Sequence, residues 1–334
     1  MKVGLIGAGL IGHKRAEALS RIEGMELEYV CDTDQTKAKA CAEKYGGHPV
    51  EKWEDVVQSD VSLVIVATYH NVAIPIVLAC LESGKHVLCE KPLGRTSEEC
   101  LKVIKVAEKS KKLIKTGFNY RHYPGFRKAY QLVQGGAVGD IQYIRSVLGH
   151  AARPDYDKEW RTDATQGGGG ALLDPGIHLI DLLRYFLGDF SSCMAIRQNA
   201  FWNIAFEDNI FLLLKTKTGK SAFMQSSITE WKNNLSFEII GTDGYIKIFG
   251  RGGFYGPQRI VWNKRWAWLG EKDPSEQEQF FSDEDVSFRE ELKEFQRAIL
   301  EDRQPLGSGY DALYAAKVID AIYNQKESGE IRLS

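Results

Sequence analysis

Apolar residues follow two alternating rhythms over the first 120 positions. Short runs at Val3–Ile6, Leu27–Val30, Leu63–Val66, His86–Leu88 and Leu113–Thr116 have the length and the β-branched content of buried strands. Between them, segments 12–22, 34–45, 72–83 and 97–110 repeat their apolar positions every three or four residues, as a helix with one face in a core does. Such strand–helix alternation predicts a parallel sheet with helices on both faces, because parallel neighbours need a crossover connection.

Beyond residue 120 the rhythm changes. A helix (124–135), a strand (141–149), a Gly-rich loop (166–170) and a second helix (171–187) precede a meander of strands near 193–203, 208–215, 219–229, 235–240 and 245–249. Turn signals such as Lys217-Thr-Gly219 and Gly241-Thr-Asp-Gly244 join these strands, which predicts a largely antiparallel sheet. One face of that sheet needs a helix layer or another subunit. Residues 270–287 read as an acidic surface loop, and helices near 288–301 and 309–327 follow. The expected architecture is α/β, with a doubly wound parallel sheet over 1–120 and, over 121–334, an α+β domain built on a large, mostly antiparallel open sheet. A length of 334 residues suits two cores.

With 43% hydrophobic and 26% charged residues, and 43 basic against 45 acidic side chains, the chain reads as a near-neutral globular protein. Neither nucleic acid nor an anionic membrane is an expected partner. Lys2 followed by Val3–Gly12 imitates a short signal peptide, but three glycines interrupt the run and His13-Lys14-Arg15 follows at once, so a buried first strand is the better reading. No later stretch approaches the apolar length of a membrane span. Cys31, Cys41, Cys80, Cys89, Cys100 and Cys193 form no C-x-x-C pair, which suits reduced structural thiols in a cytoplasmic protein.

Candidate chemistry starts at Gly7-Ala8-Gly9-Leu10-Ile11-Gly12, a G-x-G-x-x-G that follows a strand and opens a helix, with Asp32 ending the next strand twenty residues after Gly12. Gly7 permits the tight turn, Gly9 the approach of a pyrophosphate to the backbone, and Gly12 close helix–sheet packing. The helix N-terminus at Leu10 and Ile11 attracts phosphate. Asp32 accepts hydrogen bonds from a ribose diol and repels a 2′-phosphate, so NAD is expected over NADP, although Lys37 lies nearby. These features make the first domain a Rossmann fold.

A second strand ends in Glu90-Lys91-Pro92, a position that faces the ligand crevice of an open parallel sheet; a surface ion pair is the alternative. Third, Asp174 and His178 stand four apart on the expected helix, a spacing at which a carboxylate can hold an imidazole; there, too, Asp174 before Pro175 could be an N-cap. Asn119, Arg121, His150, Arg153, Trp160 and Arg161 are weaker candidates for binding hydroxyls or an anion. Trp262, Trp266 and Trp268 would share one strand face, in the sheet core or a subunit interface rather than stacked on sugar. A metal site drawn from Asp174, His178, Asp181 and His150 lacks ligand spacing and is rejected.

In order and spacing these motifs resemble the glucose-fructose oxidoreductase, inositol dehydrogenase and MocA (Gfo/Idh/MocA) family over essentially the whole chain. The resemblance rests on Gly7-x-Gly9-x-x-Gly12, Gly84-Lys85-His86-Val87 leading to Glu90-Lys91-Pro92, Gly117-Phe118-Asn119-Tyr120-Arg121, Val138-Gly139-Asp140-Ile141, and the Gly-rich loop before Asp174 and His178. It implies hydride transfer between NAD(P) and a secondary alcohol of a sugar or cyclitol, with Lys91, Asp174 and His178 catalytic, and it extends the cofactor set to Thr68, Glu90 and Lys91. Tyr69 and Ala73 depart from the family pattern, which often has proline and histidine there. Nucleotide-sugar ketoreduction, NAD-dependent glycoside cleavage and a non-catalytic NAD-responsive binding protein are the rival readings. A homodimer or homotetramer through the C-terminal sheet is expected.

Overall fold

The computed structural model describes residues 1–266, 275–325 and 330–333. Six parallel strands, β1 (Lys2–Ile6), β2 (Glu26–Cys31), β3 (His48–Val50), β4 (Leu63–Val66), β5 (His86–Cys89) and β6 (Ile114–Thr116), form one sheet in the order β3-β2-β1-β4-β5-β6. Helices α1 (Leu10–Ser20), α2 (Gln35–Tyr45), α3 (Trp53–Gln58), α4 (His70–Glu82) and α5 (Ser97–Ser110) make the crossovers. Val3, Leu5, Leu63, Val64, Val87 and Leu88 are completely buried, which is why these strands read as unbroken apolar runs. The strand order reverses between β1 and β4, and a crevice is expected beyond their carboxyl ends.

Local polar groups set several helix starts. The Asp34 carboxylate accepts from Thr36 N at 3.0 Å and begins α2. At α5, Thr96 Oγ1 accepts from Glu99 N at 3.2 Å, while the Glu99 carboxylate accepts from Arg95 N at 2.8 Å. α1 differs: its N-cap is Gly9, with no side-chain cap.

The second sheet collects β7 (Ile141–Gly149), β8 (Phe190–Gln198), β9 (Asn209–Thr216), β10 (Ser221–Ser227), β11 (Asn234–Gly241), β12 (Gly244–Phe249), β13 (Arg259–Lys264), β14 (Gln277–Phe280) and β15 (Glu330–Arg332). Its order is β14-β13-β12-β11-β7-β10-β9-β8-β15, antiparallel throughout except for β7 beside β10. Helices α6 (Pro124–Gln134) and α7 (Ile177–Leu187) cover one face, where Phe237 meets Phe126 at 5.2 Å and Phe186 at 5.6 Å between ring centroids. Met194, Ile196 and Leu213 stay exposed. Helices α8 (Ser287–Leu300) and α9 (Gly309–Tyr323) follow.

Two compact units emerge. One contains 1–119, 165–167 and 286–317; the other contains 120–164, 168–285 and 318–334. The segment 286–317, which the sequence pattern assigns to the second domain, therefore packs with the parallel sheet. Phe295, Leu292 and Ala298 of α8 share a core with Val3, Leu5 and Leu19.

Two sequence expectations are corrected, and two short elements were not foreseen. The helix over 171–187 is broken: Asp174 has φ −147° and ψ 103°, the Asp174–Pro175 bond is cis, and α7 begins at Ile177. Proline disfavours helical backbone at the preceding residue, so Asp174 and His178 do not share one regular helix face. The acidic surface loop over 270–287 contains strand β14, paired with β13, while 270–274 lie outside the described residues. Short β3, with Pro49 at its centre, and six-residue α3 lacked enough residues to show a period.

Candidate active site

Between the carboxyl ends of β1 and β4 the glycine turn has the geometry its spacing predicts. Gly7 has φ +98°, and a Cβ there would lie 2.5 Å from the Ala67 carbonyl oxygen. A Cβ on Gly12 would overlap the Gly7 carbonyl oxygen, whereas one on Gly9 would meet nothing within 4 Å. Two glycines are therefore required by the protein's own packing, and the third keeps open space above the start of α1. Leu10 begins α1 exposed, Ile11 is half-buried, and Thr68 follows β4. The residues fit a dinucleotide: an open backbone at an uncapped helix N-terminus suits its phosphates.

Asp32 follows β2 and braces this turn. Its Oδ2 accepts from Ala8 N at 2.7 Å and its Oδ1 from Asp34 N at 2.8 Å. Lys37 is drawn toward Asp34, 3.5 Å away.

Glu90 and Lys91 follow β5. Glu90 Oε1 accepts from Arg15 Nε at 2.6 Å, and Arg15 Nη1 donates to Glu291 Oε2 at 2.5 Å. Arg15 and Glu291 are both 0% exposed. Burial raises the Glu291 pKa, opposed by the neighbouring Arg15 and Lys115 cations. Desolvation acts to lower the Arg15 pKa, but the Glu291 and Glu90 carboxylates outweigh it and raise the value. Gly117 has no room for a side chain beside this pair, since its Cβ would lie 2.8 Å from both Arg15 Nη2 and Glu90 Oε2. Lys91 is thus half-buried next to a strand end anchored on a buried guanidinium. Asn119, also in this unit, is buried and donates to Ser287 Oγ at 2.9 Å.

In the second unit, the segment before α7 is bound from several sides. Leu172 N donates to Glu207 Oε1 at 2.9 Å, Tyr323 donates to the same oxygen at 2.9 Å, and Ser226 Oγ donates to the Ala171 carbonyl at 2.7 Å. Burial raises the Glu207 pKa against the opposing pull of Leu172 N. On this support the half-buried Asp174 carboxylate accepts from Arg161 Nε at 3.2 Å, and the Arg161 guanidinium lies over the Trp160 ring. His178, buried in the first turn of α7, is stacked on Tyr120 with centroids 4.1 Å apart and planes 13° apart. The Arg251 guanidinium lies 5.4 Å from the centre of the Tyr120 ring and donates to the Tyr123 hydroxyl.

Other candidates have different settings. Arg121 makes two hydrogen bonds to buried Asp181, at 2.8 and 2.5 Å. His150 Nδ1 accepts from Ala152 N at 3.0 Å, and Arg153 is paired with Glu159. Trp262 lies on β13 under the Lys128 ammonium, Trp266 lies past the end of that strand, and Trp268 falls outside the described residues. Among the described residues no group of three or more His, Cys, Asp or Glu is placed to hold a metal ion. All six cysteines are buried free thiols.

Sequence reasoning missed Arg15, Glu291, Tyr120, Glu207 and Arg251. A signal existed for Glu291, which lies three residues after Phe288 and four before Phe295, on the apolar face of α8.

Comparison with known proteins adds independent information. Residues 1–118 match a family model described as an oxidoreductase family with an NAD-binding Rossmann fold, and 126–247 match the GFO/IDH/MocA C-terminal domain. The chain is 28% identical over 257 residues to an inositol 2-dehydrogenase of Saccharopolyspora erythraea, covering 74% of this chain and 73% of that protein. It is 27% identical over 334 residues to a dTDP-3,4-didehydro-2,6-dideoxy-alpha-D-glucose 3-reductase of Actinomadura kijaniata, covering 96% and 94%. A solved levoglucosan dehydrogenase in complex with NADH and levoglucosan superposes with a TM-score of 0.88 at 22% identity, covering 100% and 99%.

Proposed function

From its membership of the Gfo/Idh/MocA family of oxidoreductases, whose N- and C-terminal models it matches, we propose that the chain transfers hydride between NAD and a secondary alcohol of a sugar, sugar derivative or cyclitol, with Lys91, Asp174 and His178 as the catalytic groups. The observation that carries the reading is the glycine turn, where Gly7 and Gly12 are sterically required and Gly9 leaves the backbone open to a pyrophosphate. Gly7, Gly9, Leu10, Ile11, Gly12 and Thr68 hold the cofactor, with Asp32 selecting the unphosphorylated ribose. NAD, when bound, supplies the hydride acceptor.

The chain's own groups manage the proton and the charge. As the carbinol carbon loses its hydrogen as hydride, an imidazole nitrogen of His178 takes the hydroxyl proton, and the C–O bond becomes the C=O bond of a ketone. The Lys91 ammonium stabilises negative charge on that oxygen, and Asp174 supports the imidazolium. Reduction uses the same groups in reverse. Glu90 anchors the strand end bearing Lys91, while Asn119, Arg121, His150, Trp160 and Arg161 bind or support the substrate. Buried reduced thiols suit a cytoplasmic setting, and no helix among the described residues is long and apolar enough to cross a membrane. The exposed Met194, Ile196 and Leu213 face favours a homodimer or homotetramer through the second sheet.

Lys91→Ala and His178→Ala should each lower turnover by about two to four orders of magnitude, measured by NADH absorbance, with NAD binding retained by calorimetry. Wild-type rates in both variants would refute the assignment. Reduction of a nucleotide-linked keto sugar is a second reading, favoured by the dTDP-sugar 3-reductase that matches 96% of the chain. A panel of free and nucleotide-linked sugars assayed in both directions separates the two.

A further inference from the structure

β7 and β10 run side by side and end together: Ser227 pairs with Gly149, and His150 N donates to the Ser227 carbonyl at 3.0 Å. Asn209 pairs with both Ser227 and Gln198, so the loop 199–208 gathers at the same end of the second sheet. The Asp174 segment is tied there too, through Ser226 to Ala171 and through Ala171 N to the Glu207 carbonyl at 2.9 Å.

This loop is built rigidly yet displays apolar rings. Asp208 is 0% exposed, and its carboxylate accepts from the backbone N–H groups of Ala200, Phe201 and Trp202 at 2.7–3.0 Å. Trp202 Nε1 donates to the Ile228 carbonyl at 2.9 Å. Despite this framework, Phe201 and Trp231 are 60% and 66% exposed, their rings edge to face at 4.8 Å and 77°. The ring contacts continue inward, since Trp202 lies 5.1 Å from Phe201 and 5.6 Å from the buried Tyr156 between ring centroids. These two contacting rings left in water, one of them on a backbone held by Asp208, form an exposed apolar surface.

We propose that Phe201 and Trp231 form an aromatic subsite for the aglycone of a glycosidic substrate whose sugar ring engages Asp174 and His178. The inference rests on the sugar-alcohol reading above and narrows it, because a free monosaccharide or cyclitol has no second ring to place on the aromatic corner. A planar or apolar aglycone lies against one ring face and is flanked by the other ring, adding affinity without touching the reacting carbon.

The test compares phenyl β-D-glucopyranoside with methyl β-D-glucopyranoside on the full chain with NAD, by calorimetry and by initial rates of NADH formation. The phenyl glycoside should bind roughly five- to tenfold more tightly, as expected for one good aromatic contact. Phe201→Ala and Trp231→Ala should each reduce that preference, leaving methyl glucoside affinity and thermal stability unchanged. Equal affinities in the wild type, no binding of either glycoside, or a preference that survives both substitutions overturns the subsite. So does loss of an oligomer in the variants with the preference intact. If the phenyl preference holds but no sugar or polyol reduces NAD, the hydride-transfer reading fails and the subsite stands. Oxidation of myo-inositol without any phenyl preference has the opposite meaning.

Discussion

Replacing Arg15 by Met tests the buried charge cluster behind Lys91 with little change in side-chain volume. The guanidinium contacts Glu90 and Glu291 at 2.5–2.6 Å and lies 4.6 Å from the centre of the Phe288 ring. Its removal leaves Glu291 fully buried with Lys115 as the remaining nearby cation and Glu90 as a like-charged neighbour. Breaking a buried pair by deleting one partner costs about 3–5 kcal/mol. Lys115 and the partial exposure of Glu90 favour the lower part of that range, so a loss of about 3–4 kcal/mol is expected. That corresponds to a fall in Tm of roughly 6–16 °C for a unit of this size, measured by calorimetry and by guanidinium unfolding.

The pH dependence follows from Glu291. Burial raises its pKa, and removing Arg15 raises it further, so its contribution to stability is fully present below the unfolded carboxyl value and is lost as pH rises. The deficit of Arg15→Met should therefore be larger at pH 8 than at pH 5. The double variant Arg15→Met/Glu291→Leu, which removes the stranded charge, should recover most of the loss. A single-variant loss under about 1 kcal/mol, or additive single and double variants, would show that the cluster is not energetically coupled.

Other perturbations read the remaining links. Gly9→Ala should leave stability within about 0.5 kcal/mol and raise the NAD Kd at least tenfold, because its Cβ meets open space. Gly12→Ala, whose Cβ overlaps the Gly7 carbonyl oxygen, should lose about 1–3 kcal/mol; equal unfolding midpoints for the two variants would contradict the steric argument. Tyr120→Leu should lower kcat about tenfold and shift the pH profile of kcat by freeing the His178 ring, whereas Tyr120→Phe keeps the stack and wild-type behaviour. Identical profiles in all three proteins would dismiss that positioning role. Burial, then Lys112, pushes the His86 imidazole down to about 4 from 6.5, and its Nδ1 accepts from Leu113 N. The unfolded chain therefore binds the proton first, and stability held above pH 6.5 is lost as pH falls toward 4. His86→Gln should flatten Tm over that interval, and an unchanged slope would rule His86 out as its source.

Periodicity made five strands of the parallel sheet, four of its crossover helices and the core of the antiparallel meander legible, because burial imposes a repeat of two on a strand and near 3.6 on a helix. The same local reasoning located Gly7, Gly9, Gly12 and Asp32, whose constraints come from residues adjacent in one turn or one crossover. Tertiary structure decided the rest. Arg15 and Glu291 are separated by 276 positions, so their pairing leaves only the faint trace of charge on an apolar helix face. Pro175 interrupts the expected helix and gives Asp174 and His178 different supports, Arg161 for one and the Tyr120 ring for the other. Local periodicity records which face of an element is buried; what that face meets depends on chain segments brought together only by the completed fold.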